Sequence, residues 1–294
     1  MGYNTGMDIL IGKNWKDYAL LDTGDGYRLE RFGDYTLVRP DPQIIWSKSL
    51  AAAEWEKADA KFVKQKDGRE GWETTKNIPH KWLMHQGDVS FWVKKTPFKH
   101  TGVFPEQSVQ WDWIKEKITT AKRPINVLNL FAYTGIATLV AAAAGAKVTH
   151  VDASKPTLAW AKENQAASNL ADKPIRWILD DAVKFCQREV KRGVRYDAIV
   201  MDPPIYGHGP GGEKWQFHQS FPQLLKICKE LLSDNPLFLL INAYAISSSA
   251  IMLNNILSEN MKDLGGKISF GELALQEEKL QRLLSTGIFA SWEK

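Results

Sequence analysis

A doubly wound, mostly parallel α/β sheet over residues 96–294, preceded by a small β-rich module over residues 1–95, is the fold this sequence predicts. Two observations predict it. After Val109, short apolar runs alternate with helix-like stretches of about ten to fifteen residues, the rhythm of a parallel sheet covered on both faces. Before residue 95, short alternating segments are broken instead by Gly-Asp turn signals.

Taken in order, residues 8 to about 46 read as a β-meander, with turns at Thr-Gly-Asp-Gly (23–26) and Phe-Gly-Asp (32–34). Residues 47–66 are rich in Ala, Glu and Lys, with Leu50, Trp55 and Phe62 spaced for one face, and predict a helix followed by a loop around 65–71. Residues 82–98 return to strand patterning. The second part predicts strands at 125–131, 147–152, 175–181, 196–202 and 236–244, with helices at 137–146, 155–169, 182–193 and 219–232 between them. Two further strands, 267–276 and 282–292, suit an antiparallel pair closing the sheet. No internal repeat or low-complexity tract interrupts the pattern.

Composition narrows the class. With 294 residues, 44% hydrophobic and 24% charged, the chain is long enough for a large core and a small one, as a soluble globular protein. No run approaches the roughly 18 apolar residues that span a bilayer, and the start MGYNTGMDIL lacks a secretory signal pattern, which predicts a cytoplasmic protein with no membrane contact. Cys186 and Cys228 fall in helix-like segments without metal or export spacing, so no metal site is expected. A net charge of +4 permits an anionic partner but is not the footprint of a dedicated nucleic-acid binder. Trp72, Trp82 and Trp92 lie among lysines between Lys61 and Lys99, as an RNA-stacking platform would require, although large aromatics are more often core anchors. Nothing in the pattern sets an oligomeric state.

In such a sheet the ligand sits at the carboxyl ends of the strands, where strand order reverses. The first strand ends in Asn129-Leu130-Phe131-Ala132-Tyr133-Thr134-Gly135, where Gly135 permits close backbone approach before a helix of small residues. One glycine is not the triplet a pyrophosphate needs; a turn wide enough for a carboxypropyl chain and a sulfonium fits better. Asp152, ending the second strand, can accept from a ribose diol, with Ser154 free to cap the next helix. Of Asp180 and Asp181, one can accept from an adenine amino group while the other caps a helix; Asp181 is preferred for the cofactor. The fourth strand ends in Asp202-Pro203-Pro204-Ile205-Tyr206, where the prolines stiffen the exit and hold Asp202 and the proline carbonyls toward the cleft.

From about residue 96 onward, the segments HTGVFPEQ (100–107), NLFAYTGIATL (129–139), HVDAS (150–154), LDDAVKF (179–185) and DPPIYGHGPGGEKW (202–215) resemble class I S-adenosylmethionine-dependent methyltransferases of the family that includes bacterial 23S ribosomal RNA cytosine-5 methyltransferases. The resemblance implies a seven-stranded sheet in the order 3-2-1-4-5-7-6 and S-adenosylmethionine as cofactor. It implies that Phe131 to Gly135 embrace the methionine part, that Asp152 and Ala153 meet the ribose and Asp181 the adenine, and that Gly102 and Gln107 close over the cofactor. Asp202, Pro203, Pro204 and Tyr206 would face the substrate.

One departure matters. Methylation at cytosine C5 needs a thiolate adding to C6, and the cysteine that supplies it would fall where this chain has Tyr244. The expected reaction is therefore transfer to an amine, ring nitrogen or hydroxyl, most readily on ribosomal RNA. Asp202 or His208 would serve as base, Asn242 and Tyr244 as edge contacts, and Gly207 to Gly212 as a mobile lid. A protein or small-molecule methyltransferase, and a non-catalytic cofactor binder, are the alternatives. A nicotinamide-dependent dehydrogenase is disfavoured by the missing glycines.

Overall fold

A computed structural model describes residues 6–13, 15–65, 68–244 and 248–294. After β1 (Asp8–Gly12), strands β2 (Tyr18–Gly24), β3 (Tyr27–Phe32) and β4 (Tyr35–Pro40) form the expected meander. Helix α1 (Ala52–Glu56) is followed by β5 (Ala60–Lys64), parallel to β4, and β6 (Glu70–Thr74) completes a five-stranded sheet. The helix expected over 47–66 is thus a short turn of helix and a strand. Pairing decides it: Asp59 Oδ2 accepts the Thr36 amide at 2.8 Å, Ala60 and Phe62 are buried, and Phe62 packs edge-on against Trp72. Of the loop expected around 65–71, Lys66 and Asp67 lie outside the described residues. A hairpin of β7 (Lys81–Gln86) and β8 (Val89–Lys94) ends the module.

Beyond a 3-10 turn at Pro105–Gln107 come α2 (Ser108–Thr120), β9 (Asn126–Leu130), α3 (Ile136–Ala143), β10 (Lys147–Asp152), α4 (Lys155–Ala167), β11 (Ile175–Leu179), α5 (Ala182–Lys191) and β12 (Ala198–Met201). A small hairpin, β13 (Tyr206–His208) and β14 (Lys214–Gln216), leads into α6 (Phe217–Glu230), β15 (Phe238–Ala243), α7 (Ala250–Met261), β16 (Lys267–Gln276) and β17 (Leu283–Glu293). Helices α2 and α7 were not among the expected elements. Their buried stripes, Trp111, Ile114 and Ile118 in one and Leu253, Leu257 and Met261 in the other, carry the helical spacing.

The large sheet has the order β11-β10-β9-β12-β15-β17-β16, as expected, with β17 the antiparallel member, but an eighth strand extends it. That strand is β1, parallel to β16 with Ile9 opposite Glu272. Seven strands is therefore corrected to eight, and residues 8–12 belong to the large sheet although they precede the β-rich module. The physical reason is the edge: over Gly271–Leu275, β16 would otherwise present unpaired backbone. Gly271 makes the approach possible, since a Cβ there would run into the Asp8 backbone.

Two cores flank this sheet. Leu128 and Leu130 of β9 pack with Phe185, Phe217, Phe221 and Leu253 on the face covered by α5, α6 and α7, while Val127 packs with Ile114, Ile118 and Ala141 beneath α2 and α3. The β-rich module shares a third core with α2 and α3 through Trp15, Phe91, Trp111 and Leu139. Helix α4 docks the β7–β8 hairpin by reading its backbone. Trp160 Nε1 donates to the Trp92 carbonyl at 2.9 Å, Asn164 Oδ1 accepts the Trp92 amide at 2.8 Å, and Ser168 Oγ both accepts from and donates to Ser90. These three side chains, four residues apart, lie on one helix face. The tryptophans in question are structural on this evidence: Trp82 is buried, and Trp72 and Trp92 are half-buried.

Candidate active site

Strand order reverses between β9 and β12, and the segments leaving those two strands build the floor of a cleft. The turn after β9 is a strained one. Phe131 (φ 53°), Tyr133 (φ 50°) and Gly135 (φ 83°) are all left-handed, and two of them have side chains that disfavour it at a cost of about 1–3 kcal/mol each. The surroundings hold the turn in place: the Tyr133 amide donates to Asp152 Oδ2 at 2.9 Å, the Thr134 hydroxyl to the Gly102 carbonyl at 2.6 Å, and Asn164 Nδ2 to the Thr134 carbonyl at 2.9 Å. Beneath it, buried Asn129 donates to Thr138 Oγ1, which in turn meets His150 Nδ1 at 3.0 Å. Burial pushes the His150 ring down to about 3, so it stays neutral.

Gly102 carries φ +100°, and its α-carbon faces the Trp160 indole so closely that a Cβ would collide with it. Three positions further the chain turns into Pro105–Gln107, and Gln107 Nε2 reaches Asp202 Oδ2 at 2.7 Å. Loss of water around Asp202 raises its carboxyl to about 6, with the Gln107 hydrogen bond pulling the other way. Asp152, at the end of β10, accepts both the Tyr133 amide and the Ser154 amide, yet burial holds its carboxyl above the ordinary value. Ser154 caps α4, as expected, leaving Asp152 to the cleft.

At the end of β11 the roles divide differently from the expectation. Asp181 is the cap of α5, its Oδ1 accepting the Lys184 amide at 2.9 Å, and Oδ2 takes no hydrogen bond among the described residues. Asp180 is engaged at both oxygens, by the Asp181 amide and by Arg188. After β12, the Pro204 carbonyl is taken by Trp215 Nε1 at 2.6 Å, whereas the Pro203 carbonyl accepts no hydrogen bond among the described residues. Tyr206 is 71% exposed, and His208 is exposed on the same hairpin. The expected lid is this hairpin: its tip is closed by Gly209 to Glu213 and fastened to α5 by the Glu213–Lys184 ion pair. Asn242 lines the inner space rather than the outer cleft and is held there in a reciprocal amide pair with Gln110, 2.8 Å in both directions.

Two adjoining spaces result. The inner one is lined by Gly102, Gln107, Phe131, Ala132, Tyr133, Thr134, Gly135 and Asp202. The outer cleft, of about 850 Å³, is lined by Asp152, Ala153, Asp180, Asp181, Asp202, Pro203, Pro204 and Tyr206, and shares Phe131 and Tyr133 with the first. Every site residue expected from the sequence thus meets at one place. Reading strand ends alone missed Phe98, Phe104 and Trp160, which reach the cleft from the segment before α2 and from α4. His100, Phe104, Tyr133 and Tyr244 form an aromatic wall with ring centroids 5.4–5.9 Å apart. Burial depresses the His100 ring to about 4, so it is neutral there.

The donor set tests which ligand fits. Four carboxylates line the cleft against one ammonium, Lys94, an arrangement that repels a pyrophosphate and suits a cationic ligand bearing a ribose. Among the described residues no group of His, Cys, Asp or Glu side chains is arranged to hold a metal, and no helix is long and apolar enough to cross a membrane.

The fold and this acid-lined cleft define an α/β transferase with a site for a cationic nucleoside cofactor. The chain belongs to the S-adenosylmethionine-dependent methyltransferases, the family whose model matches residues 35–264, and S-adenosylmethionine is its cofactor. It is 45% identical to the SAM-dependent methyltransferase of Agrobacterium tumefaciens, whose crystal structure superposes with a TM-score of 0.94 over 97% of this chain and 93% of that one. It is 31% identical over 182 residues to the ribosomal RNA large subunit methyltransferase K/L of Shewanella sp. (strain ANA-3), covering 60% of this chain and 25% of that protein. With the ribosomal RNA large subunit methyltransferase K of Neisseria meningitidis serogroup B it shares 27% over 193 residues, covering 63% of this chain and 53% of that protein. The chain therefore spans about a quarter of the first of these two relatives and about half of the second.

Proposed function

We propose that this protein transfers the methyl group of S-adenosylmethionine to RNA, with ribosomal RNA favoured, at a nitrogen or other position than cytosine C5, and that it works in the cytoplasm. The observation that carries the RNA assignment is a group of three cations beside the cleft. Lys94, Lys95 and Lys99 make no ion pair among the described residues, fall close together in the sequence, and include Lys94 in the lining of the cleft itself. Lys94 lies 3.8 Å from the centroid of the Trp160 ring and Lys99 only touches the Pro40 carbonyl, so their charge is available to phosphates. The names of the Shewanella and Neisseria relatives point the same way.

When bound, S-adenosylmethionine supplies an electrophilic methyl group on a sulfonium. The strained turn Phe131 to Gly135, closed by Gly102 and Gln107, would hold the methionine part, with Asp152 and Ala153 at the ribose. The open Oδ2 of Asp181 favours that residue, over the doubly engaged Asp180, at the adenine amino group. Asp202 and the Pro203 carbonyl form the acceptor pair for a substrate N–H. Asp202, at about 6, is ionised at neutral pH yet basic enough to take a proton. A thiolate route is disfavoured because Cys186 and Cys228 are both fully buried, in α5 and α6.

The test is transfer of radiolabelled methyl groups by the purified protein into total RNA and total protein from cells lacking it. Label in RNA that falls steeply with added salt supports the proposal, and nucleoside analysis then identifies the atom. Label in protein alone would replace RNA with a protein substrate; 5-methylcytosine would overturn the position assigned.

A further inference from the structure

We propose that Phe98 is a stacking platform for an RNA base at the mouth of the cleft, presented there by the β-rich module through Trp72. The inference rests on the RNA reading above. Phe98 is 71% exposed and lines the outer cleft, and neither the strand-end motifs nor the ring contacts of the aromatic wall account for it. A single exposed phenylalanine on a loose loop would need no explanation. This loop is not loose.

The Thr96 hydroxyl donates to the Phe98 and His100 carbonyls, at 3.0 and 2.7 Å, and its oxygen accepts the Phe98 amide at 3.1 Å. From β6, Trp72 Nε1 donates to the Thr96 carbonyl at 2.9 Å and the Phe98 carbonyl at 3.3 Å. From β4, Arg39 Nη1 reaches the Lys99 carbonyl at 3.3 Å, and the Lys94 amide closes the loop base on the Thr101 carbonyl. Five donor groups, two of them shared between two carbonyls, therefore hold the backbone that carries a hydrophobic ring in water, at the opening of a binding space, among Lys94, Lys95 and Lys99. An aromatic face flanked by cations offers π-stacking to a base and charge to its phosphates, without need of sequence-specific contacts. Trp72 acts as a positioning residue, since its ring packs on Phe62 while its N–H sets the height of the loop.

The experiment measures kcat and the half-saturating concentration of total RNA, from cells lacking the protein, at saturating S-adenosylmethionine, alongside cofactor affinity. It compares wild type with Phe98→Leu, Phe98→Tyr and Trp72→Phe. Loss of one base–aromatic stack predicts that Phe98→Leu raises the RNA KM by roughly 5- to 150-fold. Phe98→Tyr should return to within about twofold of wild type, because the π-face is kept. Trp72→Phe should raise the RNA KM in the same direction with cofactor affinity unmoved. If wild type labels RNA while Phe98→Leu keeps the wild-type KM, or if Phe98→Tyr is as poor as Phe98→Leu, the platform falls and the RNA reading stands. If wild type labels protein but no RNA, both fall together.

Discussion

Gln107 Nε2 donates to Asp202 Oδ2 at 2.7 Å, joining two positions 95 residues apart in the sequence. The turn that leads into α2 and the carboxylate at the end of β12 are therefore one unit. Asp202 is raised by burial to about 6, and a hydrogen bond that stabilises its anion holds it from rising further. If transfer requires ionised Asp202, kcat/KM falls about tenfold per unit below pH 6 and is level above it. Gln107→Ala should shift that limb to higher pH. A pH–rate profile of the two proteins checks this, and coincident limbs would refute it.

Gly102→Ala places a methyl group against the Trp160 indole in a left-handed backbone. We expect a loss of roughly 2–4 kcal/mol in unfolding free energy. Cofactor binding should weaken with it, because the Gly102 carbonyl anchors Thr134. Urea titration and calorimetric binding of S-adenosylmethionine measure the two effects.

Glu106 is buried beside the Glu30, Arg28 and Arg39 charges, and burial raises it to about 7. Its folded value lies above its unfolded one, so the native state binds the proton more tightly. Stability from this residue is present below pH 4.5 and is lost as pH rises through about 7. Glu106→Gln should thus stabilise the protein at pH 8 by about 1–3 kcal/mol and change it little at pH 4.5. Thermal unfolding at both pH values decides, and equal shifts at the two would contradict the assignment.

The hairpin of β13 and β14 overhangs the cleft without entering the inner space. Replacing Gly209–Gly212 with a two-residue turn should lower RNA methylation by about tenfold or more and leave cofactor affinity intact. Single-turnover transfer and equilibrium binding report the two quantities separately. A parallel loss of cofactor affinity would assign the hairpin to the cofactor instead.

The parts of this molecule that obey a period were legible in the sequence. Lys147–Asp152 and Lys267–Gln276 fall where the sequence puts them, because a polar residue at each end, Lys147 and Asp152 in one and Lys267 and Gln276 in the other, bounds the strand. The carboxylates at strand ends were legible for the same reason, as polar residues just past apolar runs. What escaped depends on distant partners. Ala60–Lys64 has the composition of a helix and becomes a strand because β4 and β6 lie on either side of it. The division of labour between Asp180 and Asp181 turns on Arg188, and the placing of Asn242 turns on an amide partner, Gln110, 132 positions away. Phe98 and Trp160 carry no signal of their own; their meaning comes from the cleft that other segments build around them.

Strand β1 is the first described strand of the chain, yet its partner β16 is next to last. During synthesis Ile9 emerges long before Glu272 exists, and the sheet edge it will seal is among the last pieces to appear. The leading strand must wait unpaired until β16 has been made, and the core of the β-rich module is completed only then as well, because it takes Leu275 from β16 and Leu284 from β17. A nascent chain arrested before β16 would carry a loose apolar ribbon at its front. The edge of the large sheet therefore closes only once Gly271–Leu275 are in place to receive Asp8–Gly12.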